Sequence, residues 1–338
     1  MKFAVIGCGK QASKHIAGLK SAGIDEIVVT DVDAEKIKRQ LFIDPSLQAA
    51  YKVDEVFEDQ NVVGICICTP TPSHGELILK AVTAGKHYLC EKPYCDQIDI
   101  ARELVRMTEE SKLVGMVGYV YRFVPVFEIA KNILGDVAKS GRSPVLGRVT
   151  NATLRLGGRG SHALWKHNKS SGGGAINEML VHMIDLAQWY FGEPIEVKLL
   201  RSELRWPKRN FSGEIHQVDA EDLVVASLKF ISGIDVMIHA DFITPSFMQF
   251  VEIQGDNGSF FGSIQPELPS FVFCVEPRLG YYSGRTVLTP HPLNIFDNQI
   301  KDFVYAIQCN SGSLRCSARD ALSVMETLSL LTQSNNAG

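Results

Sequence analysis

The chain has 338 residues, which at roughly 100 to 200 residues per domain makes two domains and excludes a single small module. Apolar residues supply 45% and charged residues 21%, a globular balance rather than that of a disordered chain. The net charge of -4 argues against a nucleic-acid or anionic-membrane surface and for a small ligand.

Residues 1–120 alternate short β-branched runs with amphipathic stretches, the rhythm of βαβ units around a parallel sheet. Strands are predicted at 2–6, 26–31, 62–69, 87–90 and 114–119, with helices at 11–22, 75–84 and 98–111. This predicts a doubly wound, dinucleotide-binding domain over 1–122. Past Arg122 the pattern gives a helix at 126–134, a strand at 145–156, a glycine-rich gap and one helix at 175–191. Three or four long strands follow between Ile195 and Phe260. Among them 224–230 and 234–242 read as a hairpin across Ser232-Gly233. Helices at 293–308 and 318–331 close the chain. Residues 123–338 are thus expected to form one α+β substrate domain with a largely antiparallel, open-faced sheet, inside an α/β protein overall.

The eight cysteines lie mostly in apolar stretches with no C-x-x-C pair, as expected of reduced thiols in a cytosolic protein. The apolar run before Gly7 is too short for a signal peptide, and no run reaches the ~20 residues of a membrane helix. The expectation is a protein neither exported nor membrane-spanning.

Gly7-Cys8-Gly9-Lys10-Gln11-Ala12 follows the first strand and opens a helix, fitting G-x-G-x-x-G/A. The first glycine permits the tight turn; the second lets a pyrophosphate approach the N–H groups of the helix N-terminus. Asp31 ends the second strand 22 positions after Gly9, where a carboxylate binds the adenosine ribose hydroxyls and repels a 2′-phosphate. NAD is therefore the expected cofactor. NADP stays open through Lys36, Lys38 and Arg39.

Thr69-Pro70 with His74 ends the third strand, and Glu91-Lys92-Pro93 ends the next, both at the carboxyl edge where ligands gather. Lys92 can hold an ammonium near the nicotinamide, although a solvated surface lysine is the favoured reading of a Lys-Pro taken alone. Gly172-Gly173-Gly174 precedes a helix whose spacing puts Glu178, His182 and Asp185 on one polar stripe of an otherwise apolar element. Such groups need partners, and a substrate hydroxyl is one. His162 and His167 flank Trp165 without a third ligand, so no metal site is expected; they read as surface or substrate-loop histidines. Arg155, Arg159, Lys166 and Lys169 can recognise an anionic substituent or form a solvated loop.

The G-x-G-x-x-A run, Thr69-Pro70 with His74, Glu91-Lys92-Pro93, Tyr121-Arg122-Phe123, and the three glycines before an acid and His182 together resemble the glucose-fructose oxidoreductase and inositol dehydrogenase (Gfo/Idh/MocA) family. They occur in that family's order over most of the chain. The resemblance implies a Rossmann-type first domain, with Gly7, Gly9, Lys10, Gln11, Ala12, Asp31, Thr69, Pro70, His74, Glu91 and Lys92 on the cofactor. It implies a substrate pocket of Lys92, Arg122, Trp165, Glu178 and His182, with Lys92, His182 and Glu178 catalytic. It also implies a homodimer or homotetramer through the open sheet. Glu178 stands where the family commonly has aspartate, and Leu180 where it commonly has glycine. The expected reaction is reversible oxidation of a secondary alcohol to a ketone on a sugar, cyclitol or related polyol. A nucleotide-binding regulator that does not turn over, and a C=N or C=C reductase, are the competing readings.

Overall fold

The computed structural model describes residues 1–159, 163–291, 293–309 and 314–334. In chain order the elements are β1 (Lys2–Ile6), α1 (Lys10–Ser21), β2 (Glu26–Thr30), α2 (Ala34–Ile43), β3 (Gln48–Ala49), α3 (Val53–Glu58), β4 (Val62–Ile67), α4 (His74–Thr83), β5 (His87–Cys90), α5 (Ile98–Glu110) and β6 (Gly115–Val117). Then come α6 (Pro125–Leu134), α7 (Val137–Ser140), β7 (Arg142–Ser143), β8 (Gly147–Gly157), α8 (Val181–Phe191), β9 (Pro194–Glu203), β10 (Lys208–Phe211), β11 (Glu214–Gln217), β12 (Leu223–Phe230) and β13 (Asp235–Asp241). The chain ends with β14 (Met248–Gly255), β15 (Gly258–Ser263), β16 (Ser270–Cys274), β17 (Gly284–Leu288), α9 (Ile295–Gln308) and α10 (Ala318–Ser334). No helix among the described residues is long and apolar enough to cross a membrane.

The chain divides into two compact units, Met1–Phe123 with Leu293–Met325, and Val124–Pro292 with Glu326–Gly338. The first carries a six-stranded sheet in the order β3-β2-β1-β4-β5-β6, every pairing parallel. Strand order reverses between β1 and β4, the switch point at whose carboxyl side open α/β sheets bind ligands. β1, β4 and β5 are buried and apolar at their centres, as strands covered on both faces must be.

The C-terminal stretch corrects the expected boundary. It was placed with the second domain, yet 293–325 belongs to the first unit. Phe303 of α9 meets Phe3 of β1 edge-on at 6.1 Å. Gly18 of α1 leaves the room Ile300 occupies, since a Cβ there would lie 2.6 Å from that side chain. The backbone adds a tie, Val117 N–H donating to the Cys316 carbonyl at 3.0 Å. An amphipathic helix shows from sequence that one face is buried, but not against which partner.

The second unit is built on a nine-stranded sheet in the order β17-β16-β15-β14-β8-β13-β12-β9, with β7 added to β8. Only β8 and β13 pair in parallel; the others are antiparallel. The predicted hairpin is β12 and β13, with Ala226 opposite Ile238. Between Ile195 and Phe260 the strands β9 to β15 outnumber the three or four expected, two of them, β10 and β11, forming a short separate hairpin. Leu154, Leu228, Ile238, Val251, Phe260 and Val272 are buried on the face that α6 and α8 cover. The alternate residues stay more open. Phe250, Phe261 and Phe271 stack at 5.4 and 5.8 Å, Arg285 lies 4.4 Å over Phe271, and Met237, Phe273 and Val287 are exposed.

The expected single helix 175–191 is two elements. Residues Ile176–Leu180 are π-helical and α8 starts at Val181. Glu221 fixes that beginning: its carbonyl accepts from Ala175 N–H at 2.9 Å, and its carboxylate from Ile176 N–H at 3.1 Å. Such π turns recur at functional sites.

Candidate active site

β1 runs into Gly7, whose φ of +91° suits glycine and whose Cβ, if present, would lie 2.9 Å from the Cys68 backbone. Gly7 N–H donates to the Thr30 carbonyl at 2.8 Å. Gly9 then caps α1 with nothing within 4 Å of where a Cβ would stand, and no side chain caps that terminus. Exposed Lys10 and half-buried Gln11 open the helix, while buried Ala12 sets it close against the sheet. An open glycine before uncapped amides is the geometry a pyrophosphate requires. Asp31 stands beside it. One carboxylate oxygen accepts from Cys8 N–H at 2.7 Å and the other from Asp33 N–H at 2.8 Å, with Lys36 Nζ at 3.8 Å. These residues fit NAD. The Cys8 thiol at this turn is inert, since burial, and after it the charge of Asp31, push its pKa up to about 12.

The two remaining carboxyl-edge turns are tied together from within. Thr69 packs on Gly7, and its hydroxyl accepts from Ser73 Oγ at 2.7 Å. His74 was expected on the cofactor. It is instead buried, with Nδ1 2.7 Å from the Pro93 carbonyl and Nε2 2.8 Å from the Thr69 carbonyl. Burial holds its pKa below the usual imidazole value, against the pull of those carbonyls. Glu91 also departs from the expected cofactor role, because its buried carboxylate accepts from His15 Nε2 at 2.9 Å. Lys92 follows, half-buried, and its peptide with Pro93 is cis. His15 escaped the sequence reading although a signal existed: it shares the apolar stripe of Ala12, Ile16 and Leu19, where an imidazole needs a partner. Arg122 corrects a further expectation. Its guanidinium is buried, bonded to the Arg315 carbonyl and 3.3 Å from Asp320, so it anchors the C-terminal segment rather than facing a substrate.

In the second unit Glu178 is buried on the π turn, His182 is half-buried one turn later, and Asp185 is fully buried. Lys166 pairs with the Glu178 carboxylate and lies 5.2 Å over the exposed Trp165 ring. The sequence offered Lys166 only as a loop cation; the turn that lets it reach Glu178 depends on Gly173, packed on the Lys166 carbonyl. Arg155 is engaged by Asp241 at 3.3 Å and Thr244 at 3.0 Å. His167 is not a surface histidine: it is buried between Phe211 and Phe242, at ring distances of 5.4 and 5.0 Å. His162 lies outside the described residues, among which no group of His, Cys, Asp or Glu suited to a metal occurs.

Residues 1–119 match the oxidoreductase family with an NAD-binding Rossmann fold, and residues 137–261 match the Gfo/Idh/MocA C-terminal domain. The chain belongs to the Gfo/Idh/MocA family. It is an NAD-dependent oxidoreductase. A myo-inositol 2-dehydrogenase of Thermotoga maritima is 25% identical over 268 residues, 77% of this chain and 75% of its own length. A 1,5-anhydro-D-fructose reductase of Ensifer adhaerens is 24% identical over 314 residues, 91% of this chain and 88% of its own. The solved structure of a levoglucosan dehydrogenase with NADH and L-sorbose shares the fold, with a TM-score of 0.83 at 20% identity over 100% of this chain and 97% of that one.

Proposed function

We propose that this Gfo/Idh/MocA chain reversibly oxidises a secondary alcohol to a ketone on a neutral sugar, cyclitol or related polyol. The observation that carries the reading is Lys92, half-buried at the carboxyl end of β5 in the same sheet whose β1 leads into the NAD turn. When bound, NAD supplies the hydride acceptor. His182 takes the proton of the reacting hydroxyl as a general base. Lys92 donates a hydrogen bond to a substrate oxygen and stabilises developing negative charge there. Glu178 accepts from a neighbouring substrate hydroxyl, and Trp165 offers its exposed face to the ring of the substrate.

Charge supports the neutral substrate. Lys166 is taken by Glu178 and Arg155 by Asp241, so two cations that could recognise an anion are already compensated. The named activities of the relatives, on myo-inositol and 1,5-anhydro-D-fructose, point the same way. The cysteines, none of them in a disulfide among the described residues, support a reducing, cytosolic setting, and the open face of the nine-stranded sheet supports assembly with a second copy. The test is a panel of myo-inositol, levoglucosan and other polyols with NAD, and of 1,5-anhydro-D-fructose with NADH, followed by absorbance of the reduced nicotinamide. Turnover of a polyol or its ketone is expected. Tight NAD binding with no turnover across the panel would favour a regulator that binds nucleotide without catalysis.

A further inference from the structure

Lys92 is bracketed by two buried histidines that the reaction above does not use. On one side its neighbour Glu91 accepts from Nε2 of His15 at 2.9 Å. His15 is fully buried on α1, the helix that begins at the NAD turn. On the other side the Pro93 carbonyl lies 2.7 Å from Nδ1 of His74. His74 opens α4, and its second nitrogen lies 2.8 Å from the carbonyl of Thr69, the residue against which Gly7 packs. We infer that His15 and His74 are positioning residues that hold Lys92 in register with the cofactor-binding turns, through Glu91 on one side and Pro93 on the other.

The chemistry of each partner makes the ties specific. Pro93 has no N–H, so its carbonyl is the polar backbone handle by which the residue after Lys92 can be held. A carbonyl only accepts, so each His74 bond exists only when that nitrogen carries a proton. The neutral ring that burial favours carries one N–H, so His74 donates to the Pro93 or to the Thr69 carbonyl at a time, and the Nδ1–H tautomer is the one that fixes the lysine turn. Glu91 is likewise held by a side chain from another helix, and Gly118 leaves it room, since a Cβ there would stand 3.0 Å from its carboxylate.

This inference rests on Lys92 being the reactive lysine, and the test separates the two claims. The probe is acetic anhydride at trace level on the NAD-bound protein, with the acetylation rate of Lys92 read by peptide mass spectrometry against exposed Lys229. His74→Asn keeps a donor where Nδ1 stands and His74→Gln keeps one where Nε2 stands. With the Asn variant, Lys92 labelling and kcat on the best polyol of the panel should stay near wild type. With the Gln variant, displacement of the ammonium should change labelling several-fold and lower kcat roughly tenfold, while the NAD dissociation constant and Tm match those of the Asn variant. His15→Gln, which keeps a donor toward Glu91, should resemble His74→Asn. Equal labelling and equal kcat for His74→Asn and His74→Gln would overturn the inference, whatever Lys92 does. If Lys92→Ala turns over at the wild-type rate, the catalytic reading of Lys92 fails instead, and the labelling comparison still decides the positioning.

Discussion

The ammonium of Lys166 is in direct contact with the carboxylate of Glu178, and the two differ in exposure, 28% for the lysine side chain and 7% for the acid. Glu178 thus stays buried as an acceptor because its counter-charge travels on the neighbouring loop. Lys166→Met should remove that counter-charge and destabilise the fold by about 1–3 kcal/mol, a buried-pair loss discounted for the lysine's exposure. Urea melts measure this. Adding Glu178→Gln should recover much of the loss, and an additive double mutant would show that the pair is not coupled.

The His15–Glu91 pair predicts a pH dependence of stability. Burial disfavours the charged ring, but Cys68, Cys66 and Glu91 outweigh it and hold His15 well above 6.5. Burial likewise raises the Glu91 carboxyl, but His15 outweighs it and holds Glu91 below 4.5. The raised histidine contributes fully below 6.5 and loses its contribution as pH rises through its folded pKa. The depressed acid contributes above 4.5 and loses it as pH falls through its own. The Tm advantage of wild type over His15→Gln should therefore be greatest between 4.5 and 6.5 and shrink in alkali. A difference that grows with alkali would contradict the ion pair.

Asp31 bonds the amides of Cys8 and Asp33 at the glycine turn. Asp31→Ser should weaken NAD roughly tenfold or more, on the scale of lost charge-assisted hydrogen bonds, and relatively favour NADP. Titration of both cofactors checks this. Tighter binding of NADP by the wild type would remove Asp31 as the ribose acceptor.

Local features were legible in the sequence, and distant partnerships were not. The glycine turn could be read because a strand, a turn and a helix N-terminus lie within a few residues of one another, and Asp31 because it ends the next strand 22 positions after Gly9. The side-chain partners of Glu91 and His74, His15 and Pro93, 76 and 19 positions away, could not be named from the sequence. The π turn around Glu178 depends on Glu221, which binds Ile176 N–H from 45 residues on. The Arg122 side chain was read by its place in the family pattern, whereas its actual partners, Arg315 and Asp320, lie almost two hundred residues downstream. Periodicity shows that a face is buried; it does not name what buries it.

The outer face of the nine-stranded sheet exposes Met237, Phe273 and Val287 beside the Phe250-Phe261-Phe271 stack. Apolar faces of this kind are covered by a partner. Light scattering should report a homodimer or homotetramer, and Phe273→Asp with Val287→Asp should shift it toward monomer without loss of Tm-detected folding. A wild-type monomer at micromolar concentration contradicts assembly through this face.

The central claim is that Lys92 and His182 are each catalytic, and the turnover of the single mutants tests it most directly. With an identified polyol and saturating NAD, Lys92→Ala and His182→Ala should each cut kcat by ~100-fold or more while NAD binding stays near wild type. Single mutants that turn over at the wild-type rate would contradict the account.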